Sequence, residues 1–524
     1  MLCQKSMIAK ITEMYIDMKR LKILVLAAIG WLCGMSVSAQ KFKVDGIDYY
    51  ITSESEKTVG VTRIRTSGNA VKSSNTKYSG AVTIPKSVPY EGNTYRVTSI
   101  GNCAFEYCSG LTSVEIPNSV TSIEWSAFYG CSGLTSVEIP NSVTSIGGQA
   151  FMGCSGLTSI KIGKGVTIIG VMAFRDCDKL TSVYIEDIAA WCNIEFKEYD
   201  ATPFYFANEL YVKGEKVTDL VIPDGVTSIG NCAFAYCQGL TSVKIPNSVT
   251  SIGNRAFLAC GGLTSVEMEK GVKSIGWSAF NGCYNMTSVE IPNSVTSIGG
   301  YAFDACISLT SLELPNSVTS IGEYAFEYCC GLTSLVIPNS VTSIGDYVFM
   351  NCFGLTSLEI PNSVTNIGEN AFARCSGLTS LDIPNSVTSI GKNAFWDCSD
   401  LTSIEIGNNV TSIGDRAFQG CTSVQNVYMA SHIPIPANKN IFSSQTYKTA
   451  TLHVPLGCQS VYKATSPWSE FSYSLEHYFT DINDVRTDKK GTDVFYDLNG
   501  RIVKNPTKGV YIVNGKKVLG ASKK

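Results

Sequence analysis

The chain has 524 residues, of which only 16% are charged, and its formal net charge is −3. That balance offers no basic footprint of the kind phosphate neutralisation requires, so no nucleic-acid partner is expected. Gly, Ser, Thr and Asn recur in a monotonous phrase, so internal repetition is tested before domains are counted.

In chain order, Lys19, Arg20 and Lys22 precede an apolar run from Ile23 to Leu32, and small residues ending Val37-Ser38-Ala39 stand before Gln40. This pattern predicts a signal peptide beginning at Met18, with the mature chain starting near Gln40 and 1–39 comprising an upstream extension and the signal. Cys33 follows the bulky Trp31-Leu32, a poor setting for lipid attachment. The apolar run falls short of the about 20 residues a membrane span needs, so no transmembrane span is expected in the mature chain. Phe42 to Ile51 alternates around Gly46, and Val59 to Ile64 is a second extended run, which predicts an N-terminal β cap over 40–100.

From Phe105 the pair Ala-Phe returns every 23 residues, as Ala127-Phe128, Ala150-Phe151 and Ala173-Phe174, then from Ala233-Phe234 to Ala417-Phe418, with Val348-Phe349 the one variant. The 60 residues between Phe174 and Phe234 equal two repeats plus 14, which places one insertion near 186–216 in an otherwise continuous solenoid over 101–430. Within a repeat, Val114 and Ile116 alternate with Ser113 and Glu115, the periodicity of a strand buried on one face. Pro117 has no N–H for a ladder and ends it. Asn118-Ser119 suits a turn, and Val120 with Ile123 supplies a second short extended piece. Ile123, Ala127, Cys131 and Leu134 then fall at helical spacing, which predicts a two-turn helix with Phe128 beside it. No such unit buries its apolar face alone, so neighbours must stack.

The phrase LTSVEIPNSVTSIGxxAFxxCxx, recurring from about Ala81 to Tyr428, resembles the 23-residue leucine-rich repeat of BspA-like bacterial surface proteins. The resemblance implies a right-handed superhelix with a parallel β-sheet on its concave side, short second strands and short helices. It also implies adhesion to host proteins or other cells. After Phe418 the pattern decays into an expected C-terminal cap over 431–480. The last part, 481–524, holds alternating segments around Asn499-Gly500 and Asn514-Gly515 and resembles the C-terminal sorting domains of type IX secretion; a plain terminal β-hairpin is the other reading. In the insertion, Trp191, Cys192, Phe196, Phe204, Tyr205 and Phe206 could form a binding knob or fill a local core.

Cysteines in an exported chain usually signal disulfides. Here Cys108, Cys131, Cys154, Cys177, Cys237, Cys260, Cys283, Cys306, Cys329, Cys352, Cys375, Cys398 and Cys421 share one repeat position on the inward stripe, where Cys packs as a small hydrophobe. Cys103 with Cys108 and Cys232 with Cys237 are the local pairs to check. No CxxC occurs and the chain has only three His, so neither a zinc site nor any cofactor is expected.

Two sets of residues are candidate ligand-binding groups. The outward strand position carries Glu115, Glu138, Glu267, Glu290, Glu313, Glu359, Asp382 and Glu405, with Lys161, Tyr184, Lys244 and Val336 between them. Such acids select basic patches on a partner, hold calcium between rungs, or simply keep the β face solvated. Near each Phe, Tyr301, Tyr324 and Tyr347 align on consecutive repeats, with Trp125 and Trp277 just before that position; aligned rings bind sugars or proteins, or cover a surface. His432, His453 and His477 all lie beyond Phe418, and neither HExxH, GxSxG nor GxxxxGK occurs, so no enzyme is expected. The leading expectation is a secreted or outer-surface protein that binds a protein partner on a host or bacterial surface. The alternative is a carbohydrate-binding surface protein using the tyrosines.

Overall fold

The computed structural model describes residues 40–63 and 78–477, together with the backbone of two strands, Gly509–Val513 and Lys516–Gly520. The expected signal peptide and the turn at Asn499-Gly500 lie outside the described residues.

Each 23-residue repeat forms one rung of a parallel β-solenoid. In a representative rung, Ser136–Ile139 is a strand with Val137 and Ile139 buried and Ser136 and Glu138 facing out. Pro140 ends it, and its carbonyl accepts the Val143 N–H at 3.1 Å, closing a turn around Asn141-Ser142. Ser145–Ile146 follows as a two-residue second strand. Both strands pair in parallel with their equivalents, Val137 opposite Ile160 and Ile146 opposite Ile123 and Ile169. The zero slip is fixed by the period-2 burial, since a shift of one residue would turn Val137 and Ile139 outward.

The third side differs from the helix that the spacing of Ile123, Ala127, Cys131 and Leu134 predicts. It is a run of turns in which Ser126 and Gly130 lie in the left-handed region, at φ 54° and 68°. Alternate N–H groups point along the stack, Ser126 to Gly148 O at 3.0 Å, Phe128 to Ala150 O at 2.7 Å and Gly130 to Met152 O at 2.8 Å. The residues between them bond back within the rung, as Ala127 does to Glu124 O and Tyr129 to Ser126 O. A helix would spend every N–H inside its own rung. The left-handed backbone costs a non-glycine residue about 1–2 kcal/mol. It is offset by inter-rung bonds that contribute about 0.5–1.5 kcal/mol each.

Inside, the columns stack like on like. Phe105 and Phe128 lie parallel with centroids 5.1 Å apart, and Phe257 and Phe280 at 5.3 Å. The glycine that follows the second strand in the regular rungs from Gly147 on is needed for close approach: a Cβ on Gly253 would stand 2.7 Å from the Ile229 carbonyl oxygen and from the Asn231 nitrogen.

The chain divides into two compact units, one running to Val341 and including Tyr347–Leu355, the other comprising Thr342–Asp346 and the chain from Thr356. Both use the same rung. In the first unit the strands Lys41–Val44, Ile47–Ser53 and Thr58–Thr62 form an antiparallel meander. The last of them pairs with Asn93–Ile100, which pairs with Ser122–Ile123, while Gly80–Thr83 pairs with Leu111–Glu115. Both strand edges of the first regular rung are therefore hydrogen-bonded rather than open.

The insertion keeps the coil going. Asp187 caps the short helix Ile188–Cys192, accepting from Ala189 N at 2.8 Å. Glu195–Phe196 continues the second-strand ladder and Glu209–Val212 the main one before turning back on Glu215–Val217. Trp191 is buried edge-on to Phe196 and Phe204, and its Nε1 donates to Ala233 O at 2.7 Å. These aromatics fill a local core.

In the second unit the coil outlasts the sequence repeat. Phe442 stacks on Phe418 at 5.3 Å, so the phenylalanine column gains a member that the spacing did not reveal. Thr451–Pro455 and Tyr473–His477 extend the main sheet in parallel, with the helices Ser444–Thr449 and Gln459–Lys463 in place of the turn run. Gly509–Val513 and Lys516–Gly520 form an antiparallel hairpin.

Candidate functional site

The main strands present one outward column per unit. In the first, Glu115, Glu138, Glu267, Glu290 and Glu313 are exposed, and in the second Glu359, Asp382 and Glu405 are too. The strand pairing places neighbours in register, Glu138 beside Lys161 and Glu267 between Lys244 and Glu290. Two of the acids are thereby neutralised across rungs: Lys161 Nζ lies 2.8 Å from Glu138 and 3.2 Å from Glu186, and Lys244 Nζ lies 3.0 Å from Glu267. The run Glu267, Glu290, Glu313 has one lysine at its start, and the main strands shorten along it from Ser265–Met268 to Ser288–Glu290 to Leu312–Glu313.

In the second unit Asp382 pairs with Glu405, Glu405 with Tyr428, and Tyr428 with His453. Partial desolvation by the surrounding sheet raises the Asp382 carboxyl above the usual range although its side chain reaches solvent. Glu405 is raised by the same desolvation and then by the Asp382 charge. Tyr428 and His453 stack at 4.3 Å, and His453 Nε2 is 2.9 Å from Asn426 Oδ1. Among the described residues no group of three or more His, Cys, Asp or Glu is placed to hold a metal ion.

Beside this column the threonines that open each strand are committed to the backbone. Thr158 Oγ1 donates to Thr135 O at 3.0 Å, and Thr402 to Thr379 O at 2.9 Å. A second threonine column does the same behind the short strands, as Thr144 does to Thr121 O at 3.1 Å.

The tyrosines lie elsewhere, on the turn side of the first unit. Tyr301, Tyr324 and Tyr347 all have left-handed backbones, at φ 56°, 60° and 62°. Their rings stack face to face with centroids 4.5 and 4.4 Å apart. Trp277 meets Tyr301 edge-on at 5.6 Å, and the Arg255 guanidinium covers Trp277 at 4.5 Å. The faces that Tyr301, Tyr324 and Tyr347 turn toward one another are thus spent within the ladder. Desolvation by its neighbours raises the Tyr324 hydroxyl well above the usual range. The structure does not bring acids and tyrosines together; they leave different sides of the coil.

The cysteine column carries chemistry beyond the packing that its spacing suggests. Each thiol of the column is buried and outside any disulfide, and so are Cys103 and Cys232, which leaves the local pairs Cys103 with Cys108 and Cys232 with Cys237 unbridged. Cys131 Sγ donates to Phe105 O at 3.0 Å, Cys283 to Phe257 O at 3.3 Å and Cys398 to Phe372 O at 3.3 Å. Those phenylalanine carbonyls are skipped by the inter-rung N–H ladder, and the thiol of the next rung reaches them. Burial drives the Cys177 thiol up to about 12 and Cys260 further, so these two stay protonated. No spacing rule would have shown this, because a small hydrophobe and a weak donor leave the same periodic mark.

The sequence matches the family profile of the BspA-type leucine-rich repeat region in six copies, over residues 92–198, 206–331 and 319–448. Among solved structures, the chain is similar to a leucine-rich repeat protein from Bacteroides ovatus at 31% identity, over 74% of this chain and 94% of that one, with a TM-score of 0.54. It is also similar to a leucine-rich cell surface protein from Faecalibacterium prausnitzii at 28% identity, over 75% and 96%, with a TM-score of 0.42. No curated protein matches it. No helix among the described residues is long and apolar enough to cross a membrane. On its repeats and its parallel coil together, the chain belongs to the BspA-type leucine-rich-repeat family.

Proposed function

We propose that this chain is a secreted or cell-surface adhesin that binds a protein partner on a host or bacterial surface through the outward face of its main sheet, and that it performs no catalysis. The observation that carries this reading is where the repeats vary. The inward columns keep Leu, Val, Ile, Ala, Phe and Cys rung after rung, whereas the outward position holds Glu115, Lys161, Tyr184, Lys244, Val336 and Asp382. Inward residues are fixed by stacking at native packing density. Outward ones are free of that constraint, and it is there that recognition can be written.

Export is supported by the leader pattern before Gln40, and the tail 481–524 serves in this reading as a sorting signal rather than as part of the binding surface. The family is a scaffold type, and the acids stand on an open ladder without the enclosed pair of unlike environments that carboxylate chemistry uses.

The test is retention of residues 40–480 on host matrix proteins and on intact bacterial cells, alongside a variant with Glu267, Glu290 and Glu313 changed to Gln. Retention that the triple change weakens, and that salt also weakens, is expected. Retention on neither surface, or retention indifferent to the three substitutions and to the equivalent set Glu359, Asp382 and Glu405, would sink the reading.

A further inference from the structure

The corner that follows the main strands carries features the adhesion reading does not use. In regular rungs this corner is Pro-Asn-Ser, as at Pro117-Asn118-Ser119 and Pro140-Asn141-Ser142. The next rungs break the phrase with Gly163-Lys164-Gly165 and Glu186-Asp187, and the hairpin of the insertion turns at Lys213-Gly214. A cleft of about 670 Å³ opens there, with Lys161, Lys164 and Lys213 on its wall and Tyr184 and Ile185 beneath. A second cleft of about 580 Å³ lies on the same corner towards the N-terminal strands, lined by Lys57, Lys86 and Arg96 together with Asn118.

Charge accounting favours an anion in both. In the first cleft three lysines face two carboxylates: Glu186 shares Lys161 with Glu138 and accepts from Asn141, and Asp187 caps its helix. Lys164 and Lys213 make no ion pair among the described residues. In the second cleft Lys57 leans on Glu54 at 3.7 Å and over the Tyr95 ring, and Glu56 is the one carboxylate on the wall. Lys86 and Arg96 are left without ion pairs among the described residues. Cationic clefts on a chain of net charge −3 are local features rather than a reflection of bulk charge.

The clefts are also in line. Asn118, Asn141 and Lys164 are equivalent corner residues of successive rungs, and Lys164 N donates to Asn141 Oδ1 at 2.8 Å. Lys86 is the corner residue one rung before Asn118, so three rung spacings, about 14 Å, separate Lys86 from Lys164, with the neutral Asn118 and Asn141 between. Cation pairs so separated suit a polymer that carries an acid at intervals. They suit a nucleic-acid strand, with its charge about every 3.4 Å, much less well. We propose that this corner binds a linear anionic polysaccharide, its carboxylate or sulfate groups seated in the two clefts and its neutral sugars crossing Asn118 and Asn141. The first cleft adjoins the outward column, which supplies Lys161 and Tyr184 to its wall, whereas Lys86, Arg96, Lys164 and Lys213 lie off that column.

The experiment measures binding of the chain from residue 40 to size-matched heparin and hyaluronan oligosaccharides, dextran and oligothymidylate at low and moderate salt. A variant with Lys86, Arg96, Lys164 and Lys213 changed to Gln is compared with one in which Lys273, Lys439, Lys448 and Lys463 are changed to Gln. Salt-sensitive binding to heparin or hyaluronan is expected, lost by roughly tenfold or more in the corner variant and kept within about twofold in the control. Heparin alone would assign sulfate as the recognised group, and hyaluronan as well would assign carboxylate. Equal losses in both variants, equal binding of dextran or oligothymidylate, or no binding at low salt would overturn the proposal. Unchanged thermal melting of the corner variant separates lost binding from lost fold, and the Glu267, Glu290, Glu313 variant should bind the polysaccharide undiminished.

Discussion

Cys283 allows the role of the thiol column to be measured. It is fully buried, and its Sγ donates to Phe257 O at 3.3 Å, a carbonyl that also accepts the Cys260 N–H. Cys283→Ala removes one heavy atom, worth about 0.8 kcal/mol in transfer, as for a methylene. The void, on the order of 20 Å³, adds about 0.5 kcal/mol at about 24 cal/mol per Å³. Loss of the donor adds about 0.5–1 kcal/mol, at the low end because the carbonyl keeps one partner. The expected destabilisation is therefore about 2 kcal/mol. Cys283→Ser keeps a donor, and a stronger one, on a shorter bond, so it should cost about 1 kcal/mol, less than alanine. Urea unfolding followed by far-UV circular dichroism gives both values, compared at a shared slope. A serine variant no more stable than the alanine variant would show that the column is packing alone and refute the donor argument.

Two further expectations concern the outward face. Glu290 sits in register beside Glu267, and Glu290→Lys would copy the arrangement in which Lys161 meets Glu138. A gain of about 0.5 kcal/mol at low salt that shrinks at high salt is expected; a gain indifferent to salt would be inconsistent with a charge effect. Asp382 and Glu405 both have carboxyls raised in the folded state, so the fold holds their protons more tightly than the unfolded chain does. Ionising them costs stability at neutral pH, and that cost disappears as pH falls through the raised folded values. Glu405→Gln should raise the melting temperature at pH 7 and narrow the difference from the parent chain near pH 4. An unchanged difference across that range would remove these carboxyls from the account.

Much of this protein is legible in its sequence because the coil is a repeat. Once the Ala-Phe pair returns every 23 residues, one rung determines all, and a period-2 run closed by Pro117 or Pro140 is a strand with few alternatives. The inward columns, the outward acids and the interruption near 186–216 follow from that arithmetic, while the family shows in the wording of the repeat phrase rather than in its period. What tertiary structure decided was the third side. Ile123, Ala127, Cys131 and Leu134 satisfy a helical period, yet the left-handed Ser126 and Gly130 turn alternate N–H groups toward the next rung. Local spacing records which side chains are buried but not where the backbone hydrogen bonds go, and only the presence of neighbours makes the inter-rung choice the better one. The same limit hid the thiol donors and Phe442. It also hid the stacking that spends the faces of Tyr301, Tyr324 and Tyr347, because each depends on a residue brought close by the coil rather than by the chain.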